Sequence, residues 1–296
     1  MSPSVQALLQ SWSPPLGVTC WLLIAAVFYL RGWLRLRAAF PNLVPWSQLI
    51  AFVGGLLSLW IAVGSPLEVF DDALLSAHMV QHLLLMAVAP PLLLLGAPVV
   101  PFLHGLPKFL VRGVCGPVLR WSWIQWLGRA LSHPVFCLLA PSLALIGWHF
   151  PAAFELGLRS EWWHHVEHGC FFFTGVLLWW PVVQPWPSVA KWPRWSIPLY
   201  LFFATLPCDA LSAFLTFCDR VLYRSYLSSP ALFDRSPLAD QQLAGALMWL
   251  CVTVIYLFPA VVVTIQILSP STEPGGHPDI RMPKTSTIDD SGLGVL

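Results

Sequence analysis

The sequence predicts an all-α integral membrane protein, a seven-transmembrane-helix bundle with its N-terminus outside and its C-terminus in the cytoplasm. Two observations predict the class. Hydrophobic residues make up 57% of the 296 residues and charged residues only 10%, against about 25% charged in soluble domains. Apolar runs close to twenty residues long recur along the chain, and a bilayer core of about 30 Å takes about 20 apolar residues as helix because irregular backbone cannot face lipid. The orientation rests on a third observation, the placement of Lys and Arg. This composition excludes an ordinary soluble enzyme and the disordered and fibrous classes. Lys+Arg 15 against Asp+Glu 14 leaves a net charge of +1, so no basic surface large enough to hold nucleic acid is evident, and nucleic acid is not expected as a partner. Membrane lipid, other membrane proteins and small solutes remain as partners, a second copy of the chain among them.

Seven runs qualify as spans, at Val18 to Leu34, Trp46 to Gly64, Ala73 to Leu95, Pro134 to Trp148, Trp163 to Val183, Ser196 to Phe217 and Gln241 to Leu268. The first sixteen residues hold no Lys or Arg, the wrong charge for a cleaved signal peptide, so the first run is expected to stay as a span. The fourth run is the shortest. Before it, the Gly/Pro-broken stretch 96–116 is of a kind that can dip into the interface, which leaves six or eight spans open. Residues 1–268 read as one transmembrane domain without repeats. The tail 269–296 is polar, Pro/Gly-containing and expected to be disordered and cytoplasmic.

Cytoplasmic loops retain Lys and Arg. One set of loops holds Arg31, Arg35, Arg37, Lys108, Arg112, Arg120, Arg129, Lys191, Arg194, Arg281 and Lys284, and the other holds Arg159, Arg220, Arg224 and Arg235. The bias places the N-terminus outside. The seven cysteines fall singly with no Cys-x-x-Cys, which fits neither a disulfide framework nor a zinc knuckle, and most are expected to be buried as small hydrophobes. Cys208, beside Asp209 inside a span, is the exception worth testing.

An ionisable side chain within a span is expensive and marks a functional candidate when it faces the bundle interior. The third span carries His78 and His82, four apart and therefore on one helix face, with Met86 next on the same stripe. The fifth carries His164, His165, Glu167 and His168, and His164 and His168 again share a face. His149 ends the fourth span, and Asp240, followed by Gln241 and Gln242, begins the seventh. With the orientation above, all lie toward the outer leaflet. Two i, i+4 histidine pairs on different helices plus a carboxylate are the material of metal sites in helix bundles. Imidazole suits copper, zinc and iron, and a thioether from Met86 or Met248 favours copper(I). The competing structural reading is a hydrogen-bonded network of histidines with Met86 as ordinary packing. His104, His133 and His277 read as helix-end or interfacial residues.

Three further chemistries compete. His164-His165-Val166-Glu167-His168 matches the inverted zinc-peptidase pattern H-x-x-E-H, two ligands and a general base, but the third ligand it needs is unassigned. His82 and His168 on facing helices are positioned to be axial ligands of haem. Transport is the last, although the cluster lies toward one face rather than the midplane and no inverted repeat is visible.

The segments His78-Met79-Val80-Gln81-His82-Leu83-Leu84-Leu85 with Ala89-Pro90-Pro91, Trp148-His149-Phe150-Pro151, Glu167-His168, and Asp240-Gln241-Gln242-Leu243-Ala244-Gly245 with Met248-Trp249 resemble the multispanning CtaG family of cytochrome c oxidase assembly factors. This is not the single-span copper chaperone that shares the name. The likeness runs from about Trp46 to Leu268. It implies a bacterial cytoplasmic membrane protein that acts in maturation of haem-copper oxidases of the caa(3) type, in forming the copper B centre of the catalytic subunit. By resemblance, His78, His82, His149, His164, His168 and Asp240 are the metal-site positions. Met86, His165, Glu167, Gln241 and Met248 are read beside them as candidate accessory residues, and His165 is an extra histidine whose role is open. Copper is the expected metal, zinc or haem the alternatives, and no substrate turnover is required.

Overall fold

The computed structural model describes residues 3–185, 192–228, 233 and 235–269. All regular structure among them is helical. Eight helices organise the fold: α1 (Leu16–Ala39), α2 (Trp46–Gly64), α3 (Leu75–Leu95), α4 (Pro134–His149), α5 (Pro151–Arg159), α6 (Glu161–Val183), α7 (Ser196–Phe217) and α8 (Pro237–Leu268). Of these, α1, α2, α3, α6, α7 and α8 are each long and apolar enough to cross a membrane. α4 reaches seven only when joined to the helix Ser122–Leu131, from which it bends by 70°. At about 1.5 Å per residue its own sixteen residues span about 24 Å, short of a bilayer core.

The predicted runs correspond to these helices with shifted ends. α1 extends to Ala39 because Arg35 and Arg37 find partners: Arg35 donates to the His104 carbonyl, and Arg37 donates to the Val44 carbonyl while its guanidinium packs on the Trp33 and Trp46 rings. α8 begins four residues before Gln241, since Pro237 suits the first turn and the Ser236 hydroxyl accepts the Ala239 N–H. The tail 270–296, with His277, Arg281 and Lys284, lies outside the described residues, as does Lys191. The 96–116 stretch folds as short helices, of which Val99–Gly105 packs along α1. The turn into it puts Ala97 at φ 44 and is fixed by the Tyr29 hydroxyl, which donates to the Gly96 carbonyl at 2.7 Å.

Polarity is inverted relative to a soluble protein. Large apolar side chains such as Ile50, Phe202, Leu250 and Phe258 are exposed on the outer faces, whereas His78, Gln81, His82, Glu167, Asp240 and Gln241 are buried. The main core joins α3, α4, α6, α7 and α8, and a smaller one of Tyr29, Trp33, Leu36, Val44 and Phe52 joins α1 to α2. The expectation that most cysteines are buried is corrected. All seven are free, but only Cys137 and Cys208 are buried, because lipid accepts a thiol on an outer helix face as readily as the core does.

α3 is interrupted by a π-helical turn over Leu84–Val88, one turn below His82. The cause is local. Pro90 and Pro91 have no N–H, so the Met86 carbonyl loses both its i+4 and its i+5 donor. The indole N–H of Trp179 on α6 takes that carbonyl at 3.2 Å. Gly175 allows the approach, since a Cβ there would lie 2.7 Å from the same oxygen. The sequence Ala89-Pro90-Pro91 therefore docks α3 on α6 and sets the height at which their histidines meet.

Candidate metal centre

Four of the five histidines on α3 and α6, His78, His82, His164 and His168, converge. The rings of His78 and His82 lie 4.2 Å apart, His164 and His168 4.1 Å, His78 and His164 5.6 Å, and His82 and His168 5.9 Å, centroid to centroid. His149, from the end of α4, completes the group at 5.8 Å from His82. Glu167 points into the middle and is 1% exposed. Its Oε1 lies 3.4 Å from His82 Nε2 and 3.7 Å from His78 Nε2. Gly157 on α5 makes room for it, since a Cβ there would lie 2.6 Å from Glu167 Oε2.

A second group shares His78. Asp71, in the short helix Glu68–Asp71 before α3, is 2% exposed and puts Oδ2 at 3.4 Å from His164 Nε2. Its backbone carbonyl accepts from the Tyr226 hydroxyl. Burial, reinforced by the neighbouring Asp72 carboxylate, pushes the Asp71 carboxyl up to about 8. Potential ligand atoms of Asp71, His78 and His164, and those of His78, His82 and Glu167, lie within 4.8 Å of one another in each group.

These atoms lack protein partners. Both ring nitrogens of His78 and of His82, both carboxylate oxygens of Glu167, and single atoms of Asp71, His164 and His168 are buried without a hydrogen bond. Each such atom costs about 1–3 kcal/mol, more when charged. The spacing fits a cation. Nitrogen or oxygen ligands at about 2.0–2.1 Å in a tetrahedral site stand about 3.3 Å apart, close to the 3.4 and 3.7 Å found here. The donor set of imidazole and carboxylate suits copper, zinc or iron.

Other expected residues have different work. Asp240 accepts from the Ser76 hydroxyl at 2.5 Å and from its backbone N–H at 3.1 Å, with Arg235 at 3.8 Å, and so clamps α8 to the start of α3. Gln241 accepts the Leu222 N–H and donates to the Arg220 carbonyl, holding the loop after α7. Neither joins the two groups. His165 is exposed and joins neither group. His164 and His168 do not fall in one ligand group, and Glu167 stands among possible ligands, an arrangement unlike the peptidase pattern. Met86 and Met248 line a cavity of about 20 Å³ with His82 and His149, room for one water or ion.

Three participants escaped the sequence reading. Asp71 precedes the apolar run, and its only signal was an acidic pair at the N-terminal mouth of a histidine-bearing span. Met79, adjacent to His78, places its sulfur 3.2 Å from His149 Nε2. Tyr223 donates to the His149 carbonyl and stacks on Phe154 at 3.9 Å, fixing the break between α4 and α5.

Fold and site together define a polytopic helical membrane protein with a buried imidazole-carboxylate cluster near one end of its bundle. The chain belongs to the cytochrome c oxidase caa3 assembly factor family (Caa3_CtaG), whose model matches residues 27–269. Relatives include uncharacterized proteins of Mycobacterium bovis and Mycobacterium tuberculosis, each 28% identical over 256 residues, and one of Mycobacterium leprae at 26%. The alignments cover 83% of this chain but only 38%, 38% and 37% of those proteins, so the chain spans under two fifths of their length. No solved structure matches the chain.

Proposed function

We propose that the chain holds copper for insertion into the copper B centre of a haem-copper oxidase, in a bacterial cytoplasmic membrane, with its N-terminus and its metal site toward the outer face. His78, His82 and Glu167 are the principal ligands. Asp71 and His164 form an adjoining position that shares His78, and His168 stands ready as an exchange ligand. The reading is supported by one observation above all, the concentration of unpartnered imidazole and carboxylate atoms around His78 and Glu167. Copper is cargo here, so the ligands must release it. A ring of neighbouring donors allows stepwise ligand exchange, in which each leaving bond is replaced before the next is broken. The partner is the oxidase catalytic subunit, and no bond of a substrate need be made or broken.

The test is metal content and an absorption spectrum of the detergent-purified chain beside a His78→Ala/His82→Ala variant, with copper B occupancy of the oxidase measured in cells carrying each. The reading expects copper bound by the wild type, lost in the variant, and an oxidase deficient in copper B with the variant. A chain that binds no copper yet restores a copper-replete oxidase refutes it, and a Soret band lost in the variant replaces copper with haem.

A further inference from the structure

Directly below the carboxylate-imidazole cluster lies the cavity of about 20 Å³, whose walls carry a different set of donors. Met79, Met86, Met248 and Cys208 contribute sulfur, and His82 and His149 contribute imidazole; the remaining lining is hydrocarbon or aromatic, and no carboxylate reaches it. Met79, Met248, Cys208, His82 and His149 are all 5% exposed or less. Three of the chain's five methionines therefore face one small void.

One contact in its wall has no ordinary explanation as packing. His149 Nδ1 lies 2.8 Å from the Leu145 carbonyl, and a carbonyl only accepts, so Nδ1 carries the proton. In the neutral ring Nε2 is then bare. It lies 3.2 Å from the Met79 sulfur, which has only lone pairs to offer. Two Lewis bases thus face each other in a buried site. A cation between them removes the repulsion: with metal–nitrogen and metal–sulfur bonds of about 2.0 and 2.3 Å, tetrahedral ligands stand about 3.5 Å apart. His82, whose two ring nitrogens are buried without partners, lines the same void.

We propose that His149 and Met79, with His82, Met248 and Met86, form a second metal site selective for a soft monovalent cation, copper(I), distinct from the harder cluster around Glu167 and joined to it through His82. Thioether donors select copper(I), whereas carboxylate and imidazole take divalent ions. The inference rests on the metal-handling reading and deepens it, giving the cargo a second station deeper in the bundle. Transfer between stations is ligand exchange at His82 on copper(I), without change of oxidation state.

The experiment uses the full chain in detergent, titrated with silver(I) as a redox-inert probe for copper(I), and separately with zinc(II) as a probe of the harder site. Wild type is compared with Met79→Leu/Met248→Leu, a volume-conserving change, and with Glu167→Gln. The expected result is loss of one silver equivalent, or at least about a tenfold weaker affinity, in the methionine variant with zinc binding kept, and the opposite pattern in Glu167→Gln. Silver binding unchanged in the methionine variant overturns the proposal. Zinc bound by wild type without silver also overturns it while leaving the Glu167 cluster standing, silver without zinc does the reverse, and neither metal bound refutes both. Should the methionine variant not fold, selenomethionine-substituted wild type loaded with copper(I) decides by X-ray absorption. Selenium in the copper coordination shell supports the site, and its absence overturns it.

Discussion

Replacing Glu167 by glutamine keeps the shape of the side chain and removes its charge, and the structure makes opposite demands on the metal-free and metal-loaded protein. Without metal, wild type must bury a carboxyl that no donor satisfies, 1% exposed and more than 3 Å from the nearest imidazole nitrogens. Exchanging the carboxyl for an uncharged amide, whose N–H groups can donate to the unpartnered ring nitrogens of His78 and His82, should leave the metal-free variant as stable as wild type or more so, by up to about 1–3 kcal/mol. With metal, the variant loses the one anionic donor that faces both His78 and His82. Affinity is expected to fall by about 100-fold, the upper end of what carboxylate partners of metal sites contribute. At a free metal concentration 100 times the wild-type Kd, binding stabilises wild type by about 2.7 kcal/mol. The same concentration equals the variant's Kd and stabilises it by about 0.4 kcal/mol. Thermal unfolding in detergent, with and without zinc(II) or copper(II), therefore should give a smaller metal-induced rise in Tm for the variant from an equal or higher starting point. A variant with the full wild-type rise, or one already destabilised without metal, would refute the placement of Glu167 as a ligand.

Gly157→Ala should act on the same carboxylate from the other side, because its methyl group would meet Glu167 Oε2 at 2.6 Å; about 1–3 kcal/mol of stability and a weakened zinc titration are expected, and wild-type values for both would show that the carboxylate is not confined. Trp179→Phe removes the donor to the Met86 carbonyl, which Pro90 and Pro91 leave without a backbone donor, so unfolding in detergent should be easier by about 1–3 kcal/mol. Asp240→Asn should lower stability by loosening the bond to Ser76 while the folded variant keeps its full metal content. A missing metal equivalent in folded Asp240→Asn would return Asp240 to the ligand set.

Helix positions were legible because lipid imposes a single strong constraint, and the i, i+4 spacing of His78 with His82 and of His164 with His168 already put each pair on one face. That the two faces meet was inferred from span order, and the structure supplies the reason in the Pro90-Pro91 break and Gly175. Depth alone does not separate Asp240 and Gln241 from the histidines. Both lie at the level of the histidines, but their side chains are consumed by Ser76, Leu222 and Arg220. Asp71 was invisible for the converse reason: it precedes the apolar run, and only the fold back of residues 68–74 over the bundle buries it against His164. Met79 could not be read from the stripe of His78, His82 and Met86, since it lies about 100° round the helix and faces His149 on α4.

The arrangement of donors along the bundle has a chemical order. Nearest the end of α3 stand Asp71 and Glu167 with three imidazoles, the hardest donors in the interior; next comes His82, and below it sulfur with His149. A divalent ion is held by charge as well as by bonds, so it gains most at the carboxylates. A monovalent, polarisable ion gains less there and more from thioethers. His82 touches both environments: its Nε2 lies 3.4 Å from Glu167, and its ring forms part of the sulfur-lined wall. Substitution of His82 alone should therefore weaken both silver(I) and zinc(II) binding, whereas His149→Ala should weaken only silver(I) and His164→Ala only zinc(II). Parallel titrations of the three variants measure whether the two donor sets are coupled through one residue. Equal loss of both metals in all three variants would mean a single site rather than two, and would refute the order described here.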